Sequence, residues 1–216
     1  DMCSAVAGSL EELQRNPFVA MYSEPTTPLS HSKDAIDKLL FLSEKNLPVV
    51  YTPGMILGGT APVTIAGALA VGVADNLIGL LLSQLKREGA PFIGAAPGGP
   101  LDMKTMQHSY GAPEWMLQHA ASTDVYHYLN IPIWSAAGAT LESALQIAIS
   151  AFGGAHLIHD VGFTDLGMTG SLAQLVMCDE IIGMVRRFIN GVDIDEAHLA
   201  VDVIDQQGPG GQFMCA

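Results

Sequence analysis

Basic residues are scarce in this sequence. Its 216 residues hold nine Lys and Arg against 22 Asp and Glu, a formal charge of −13. A surface that acidic excludes a module that grips nucleic-acid phosphates and argues against docking on anionic lipid. Cysteine is scarcer still. Cys3, Cys178 and Cys215 are too few and too scattered for a disulfide framework or a zinc site, which suits a reducing, cytoplasmic setting. No stretch pairs a basic region with an apolar core, so none reads as a targeting signal. The nucleotide signatures are missing too: no G-x-G-x-x-G follows the first expected strand, and no G-x-x-x-x-G-K-[ST] occurs. Nor is there a G-x-S-x-G elbow or a cysteine with a local histidine signature, which removes the usual serine and cysteine nucleophiles.

What is present is apolar: 49% of residues are hydrophobic and only 14% charged. That is enough for a real core in a single domain over residues 1–216, and it excludes a disordered chain. Residues 51–74 carry no charged side chain, a run long enough to cross a bilayer. Pro53, Gly54, Gly58, Gly59 and Pro62 break its first half, however, and Asp75 and Asn76 fall in the helical half that follows. A buried helix of a layered α/β domain is the preferred reading, and no membrane span is expected.

Short β-branched runs alternate with longer helical patterns. Strands are expected over 18–22, 48–52, 90–94, 131–134 and 155–160. Helices are expected over 33–45, 62–87, 113–129, 141–152 and 171–189, with a last piece over 195–204 broken by Gly208-Pro-Gly-Gly211. Thr60 is the expected N-cap of the second helix. Met177 and Met184 read as fillers of core gaps. Five β-α units in succession imply parallel strands joined by crossover helices. Without nucleotide signatures, the open doubly wound sheet loses to the (β/α)8 TIM barrel. A closed barrel takes eight strands and about 250 residues, so this chain reads as a partial barrel of about five units. The start at Asp1 and the end at Cys215-Ala216 read as fragment boundaries. Exposed apolar strand edges are expected where further units would pack.

Barrel chemistry sits at the carboxyl ends of the strands. Those ends are Tyr22, Ser23 and Glu24; Tyr51 and Thr52; Ala95 to Gly99; Trp134 and Ser135; and His159 with Asp160. The set holds aromatics, hydroxyls and two carboxylates but no Lys or Arg. A phosphorylated substrate would want a cation there, whereas ring faces and negative charge together suit a cationic ligand such as a quaternary ammonium. His159 and Glu24 are therefore the candidate catalytic groups, and Tyr22, Tyr51, Trp134 and Asp160 the candidate substrate contacts. His156 and His159 point to opposite faces of a strand and cannot easily share a metal, so no metal site is assigned. Cys178 lies mid-helix and reads as a packed thiol. Arg186 and Arg187 complement the carboxyl end of their helix.

The stretch Val50-Tyr-Thr-Pro-Gly-Met-Ile-Leu-Gly-Gly-Thr-Ala-Pro-Val-Thr64 resembles the trimethylamine methyltransferase (MttB-like) family. So do Asn16-Pro-Phe18, Tyr22-Ser-Glu-Pro-Thr-Thr-Pro-Leu29, Gly111-Ala-Pro-Glu114, Ala155-His-Leu-Ile-His-Asp-Val-Gly162, Cys178-Asp-Glu-Ile-Ile-Gly-Met-Val-Arg-Arg187 and Gly208-Pro-Gly-Gly211. The resemblance implies a (β/α)8 barrel of more than twice this length. It also implies transfer of a methyl group from a methylamine or quaternary amine to the Co(I) of a partner corrinoid protein. The chain itself would bind no cofactor, because the corrinoid (cobalamin) belongs to the partner.

Trimethylamine-using members carry pyrrolysine, whereas every position here is an ordinary residue, which moves betaine-type substrates ahead. The segment Ala139-Thr-Leu-Glu-Ser-Ala-Leu-Gln146 is less acidic than the family pattern, so no site residue is carried over from it. Two other readings stay open: a barrel enzyme using His159 and Glu24 for acid–base chemistry, and a non-catalytic module that binds quaternary amines. Homo-oligomerisation is left open as well.

Overall fold

The computed structural model describes residues 1–136, 140–164, 167–199 and 201–207. Two short helices, α1 (Met2–Ala7) and α2 (Leu10–Arg15), precede β1 (Met21–Ser23). Then follow α3 (Lys33–Glu44), β2 (Val49–Tyr51), α4 (Ile65–Lys86) and β3 (Phe92–Ala95). A hairpin of β4 (Leu101–Asp102) and β5 (Gln107–His108) leads into α5 (Pro113–Tyr128), β6 (Ile133–Ala136), α6 (Thr140–Phe152) and β7 (Leu157–His159). A second hairpin, β8 (Phe163–Thr164) and β9 (Thr169–Gly170), precedes α7 (Leu172–Ile189), α8 (Glu196–Leu199) and α9 (Val201–Gln207).

Strands β1, β2, β3, β6 and β7 pair in that order, all parallel, with helices as crossovers. The five strands form a curled sheet, the arrangement of part of a (β/α) barrel, open along β1 and β7. Local chemistry explains the helix ends. Ser32 accepts from the Ala35 N–H at 3.4 Å and Ser171 from the Gln174 N–H at 3.2 Å, satisfying donors that the first turn leaves unpaired. Pro113 opens α5, where its missing N–H costs nothing. Arg186 and Arg187 occupy the last turn of α7.

The main core lies between the outer face of the sheet and the helices. Leu39 and Leu42 of α3 pack there with Val49, Tyr51, Phe92, Tyr126 and Ile133. Close approach depends on one glycine in particular: a Cβ at Gly94 would fall 2.3 Å from Tyr126 Cε1, so only a bare backbone lets that ring lie on β3. A smaller cluster of Ile147, Cys178 and Val185 joins α6 to α7. By length and composition α4 could cross a membrane. In this fold it is the crossover between β2 and β3. Its Asp75 and Asn76 are buried, and Asn76 Nδ2 donates to Ala95 O of β3 at 3.2 Å.

Several expectations shift. The first, third, fourth and fifth strands begin two or three residues later than the apolar runs do. Thr60 does not cap α4. Its Oγ1 accepts from the Ile56 N–H at 2.9 Å inside the β2–α4 loop, and the helix begins at Ile65 after Thr64. Met177 and Met184 are exposed on α7 rather than filling gaps, alongside Leu172, Val176 and Phe188. Leu157 on the edge strand β7 is 43% exposed, an apolar edge of the expected kind. The region from Gly208 through Cys215, and Ala139, lie outside the described residues.

Candidate active site

Strand pairing decides which side chains face the inside of the curl. Tyr22 aligns with Val50, Trp134 with Leu157, and Ala136 with His159. Alternation then sends Tyr22, Trp134 and His159 inward. Ser23, Tyr51, Ile133 and Ser135, in the intervening rows, face the helices. At the carboxyl ends of the strands the inward set opens into a cavity of about 800 Å³, lined in part by Tyr22, Glu24, Trp134, His159 and Asp160.

These five form a continuous chain of contacts. Tyr22 OH donates to Glu24 Oε2 at 2.6 Å, and its ring meets Trp134 edge-on at 5.4 Å. The Trp134 and His159 rings lie 3.8 Å apart, and His159 Nδ1 sits 2.9 Å from Asp160 Oδ1. Asp160 adopts a φ of 60°, a left-handed turn that aspartate tolerates better than most residues. The Glu24 carboxylate occupies space that a side chain at position 54 would take: a Cβ on Gly54 would lie 2.0 Å from Glu24 Oε1. Burial, reinforced by the bond to Glu24 and its charge, raises the Tyr22 phenol well above its ordinary range. Tyr22 therefore stays a donor to Glu24.

Tyr51 is not part of this group. One row along from Tyr22 it turns to the other face of the sheet, where it is fully buried. Its OH lies 2.7 Å from His31 Nδ1, and burial with the nearby Asp75 charge pushes its pKa up to about 12. His156 also sits apart from His159, its Nδ1 accepting from the Ile133 N–H at 3.3 Å. Among the described residues no three His, Cys, Asp or Glu side chains gather as a metal would require.

The opposite wall comes from residues that strand-end reasoning missed. The Gly99 N–H donates to His108 Nε2 at 2.7 Å, so that nitrogen is unprotonated and the ring neutral, as burial also favours. The His108 ring lies 4.2 Å from that of Tyr110, and Tyr110 lies 6.3 Å from Trp115. Trp115 and His119, one turn apart on α5, stack at 3.6 Å. His119 Nδ1 pairs with Ser135 Oγ at 3.0 Å, and Ser135 with Ser150 Oγ at 2.9 Å. Burial chiefly, then the neighbouring His159 and His108, pulls the pKa of His119 down to about 3, so its ring is neutral. The spacing Trp115-x-x-x-His119 on a helix starting after a strand was the available signal.

The cavity thus joins eight aromatic or imidazole side chains to two carboxylates, with no Lys or Arg among its lining residues. The curled five-stranded parallel sheet is compatible with a partial (β/α) barrel, and the cavity lies at the carboxyl ends of its strands. The chain matches the family model described as trimethylamine methyltransferase (MTTB) over residues 1–216, and it belongs to that family.

Among its relatives is a trimethylamine methyltransferase MttB of Desulfitobacterium hafniense (strain DSM 10664 / DCB-2), 31% identical over 99% of this chain and 45% of that protein. The MttB of Methanosarcina barkeri (strain Fusaro / DSM 804) is 30% identical over 96% of this chain and 44% of its own length. A glycine betaine methyltransferase of D. hafniense (strain Y51) is 27% identical over 99% of this chain and 47% of that protein. The chain therefore spans just under half the length of these relatives.

Proposed function

We propose that this chain carries part of the site of a methyltransferase that moves a methyl group from a quaternary or tertiary methylamine to the Co(I) of a corrinoid protein. Its relatives, named for trimethylamine and for glycine betaine, support the reaction class. The observation that carries the reading is the cavity itself: aromatic rings and the Glu24 and Asp160 carboxylates converge without a Lys or Arg among its lining residues. Ring faces and carboxylates both attract a methylated ammonium.

The chemistry needs little more from these residues. Co(I) is a strong nucleophile and attacks an N-methyl carbon in line. The electron pair of the broken C–N bond stays on nitrogen, so a quaternary ammonium leaves as a neutral tertiary amine and requires no general acid. Positive charge on nitrogen falls as that bond breaks. A cage that held the cation too tightly would therefore slow the step. The task of Tyr22, Trp134, His159, Glu24 and Asp160 is to orient the ammonium and exclude water while the mouth stays open to the corrinoid protein. Corrinoid and methylated amine are both substrates in this scheme, and a cytoplasmic setting accompanies it. His159 with Asp160 orients the ring against Trp134.

Titration calorimetry on the protein at full length tests the cation reading. Choline is compared with its uncharged carbon isostere, in which a tert-butyl group replaces the trimethylammonium. Tighter binding of the charged ligand by tenfold or more supports the reading. Equal binding of the two, or binding of neither, overturns it.

A further inference from the structure

Between Ile65 and Leu85, helix α4 carries a single charged side chain, Asp75, and that side chain is 0% exposed. A carboxylate taken out of water is costly unless donors meet it. Both of its donors come from one segment, the loop over residues 24–32 that joins β1 to α3. The Leu29 N–H donates to Asp75 Oδ2 at 3.4 Å, and His31 Nε2 lies 3.4 Å from Oδ1. Burial raises the Asp75 carboxyl above its ordinary pKa, and these two neighbours oppose the rise. Leu29 adopts a φ of 49°, a left-handed conformation that leucine rarely takes and that persists only where its surroundings impose it.

Tyr51 orients the His31 ring from its other side. Nδ1 lies 2.7 Å from Tyr51 OH, and the two rings stack at 5.9 Å. Tyr51 keeps its proton, because burial and the Asp75 charge push its pKa up to about 12. Its OH therefore donates to Nδ1, and the hydrogen of the neutral ring sits on Nε2, facing Asp75. Nε2 and Oδ1 are both sealed from solvent, and neither hydrogen-bonds any other group among the described residues. Gly79, one turn beyond Asp75, lets α4 come this close: a Cβ there would fall 2.5 Å from Tyr51 Cδ1.

The same loop starts in the cavity. Ser23 O accepts from the Thr52 N–H at 3.0 Å, so β1 is fixed as far as Ser23, and Glu24 is the residue at which the chain leaves the sheet. From there the loop passes to the helix side, where Asp75 holds Leu29 and His31. We propose that Asp75 is a positioning residue: it latches the 24–32 loop to α4 from behind the sheet and so fixes where the Glu24 carboxylate stands in the cavity. The inference rests on the methylated-amine reading and adds what holds its carboxylate in place. Asparagine has the shape of aspartate but only one acceptor oxygen. It can take the Leu29 N–H or the His31 N–H, and its own amide N–H then confronts the other donor. Asp75→Asn therefore opens the latch without leaving a hole.

The test is a double-mutant cycle on the full-length protein, read by calorimetry as the preference for choline over its tert-butyl isostere. Asp75→Asn lowers that preference roughly threefold to tenfold. In a Glu24→Gln background the same substitution changes it by less than about twofold, because the carboxylate it positions is gone. The ratio of two ligands within one variant cancels any loss of folded protein. His31→Phe keeps the stack on Tyr51 and removes the Nε2–H, and it gives the same cycle from the other side of the latch. Tyr51→Phe leaves both Asp75 contacts in place and keeps the wild-type preference. An unchanged preference in Asp75→Asn and His31→Phe, or an equal loss with and without Glu24, overturns the role of Asp75 and leaves the methylated-amine reading standing. An equal loss in Tyr51→Phe overturns that role too, since packing behind the sheet would then be the cause. No preference in the wild type overturns the methylated-amine reading and the inference with it.

Discussion

Tyr22 of β1 and Trp134 of β6 meet edge to face with ring centroids 5.4 Å apart, although β2 and β3 lie between their strands. Three steps across a flat sheet would separate the strands by about 14 Å. Only a strongly curled sheet brings the two rings together, so this contact reports both the barrel-like curvature and the cavity it encloses.

Trp134 is therefore the aromatic on which the proposed cation site depends. It touches Tyr22 on one side and His159 on the other. Trp134→Ala weakens binding of a quaternary ammonium by roughly tenfold, and Trp134→Phe by less, because a smaller ring retains part of the attraction. Calorimetry with tetramethylammonium checks the order wild type, Phe, Ala. Unchanged affinity in the Ala variant contradicts it.

Gly54 predicts a separation of binding from stability. Its added Cβ would meet Glu24 Oε1 at 2.0 Å, and the exposed loop backbone has room to keep its fold while the carboxylate swings away. Gly54→Ala loses ammonium affinity to about the extent that Glu24→Gln does, with thermal stability close to wild type. A variant that melts early yet binds normally would place Glu24 outside the site.

His119 makes stability depend on acid. Its folded-state pKa of about 3 lies below the ordinary histidine value of 6.5, so the unfolded chain takes up the proton first. The stability it contributes is fully present above pH 6.5 and is lost as pH falls toward about 3. His119→Phe has a flatter melting temperature between those limits than wild type. Parallel slopes in the two proteins would show that the buried ring is not responsible.

Tyr51 has the opposite sign. Its folded-state pKa of about 12 exceeds the ordinary 10, so its contribution holds below pH 10 and fades as pH rises through 12. Tyr51→Phe also removes the bond to His31 and costs about 1 kcal/mol at neutral pH. Ligand affinity is unaffected, since the ring lies behind the sheet. A binding defect in this variant would contradict that placement.

Most of the architecture was legible because β-α alternation needs only local pattern. The crossover helices α3 to α7 lie close to the apolar periods that mark them. Strand ends named Tyr22, Glu24, Trp134, His159 and Asp160, and the cavity gathers all five. Tyr51 failed for a reason of period two. Whether a strand-end residue faces inward depends on register with its neighbour, and Tyr51 aligns with the buried Ser23 rather than with Tyr22. Trp115 and His119 were missed because the wall they form depends on where α5 crosses the strand ends, a tertiary fact. The two hairpins are too short to leave a periodic signal.

The central claim is a methyl transfer, and one spectrum tests it most directly. The full-length protein is mixed anaerobically with a Co(I) corrinoid protein and glycine betaine, and the cobalt absorbance is followed through a single turnover. The account predicts conversion of Co(I) to methyl-Co(III) with release of one equivalent of dimethylglycine, slowed in Trp134→Ala. Cobalt that stays Co(I) with glycine betaine, trimethylamine and every other N-methyl donor tried would contradict it.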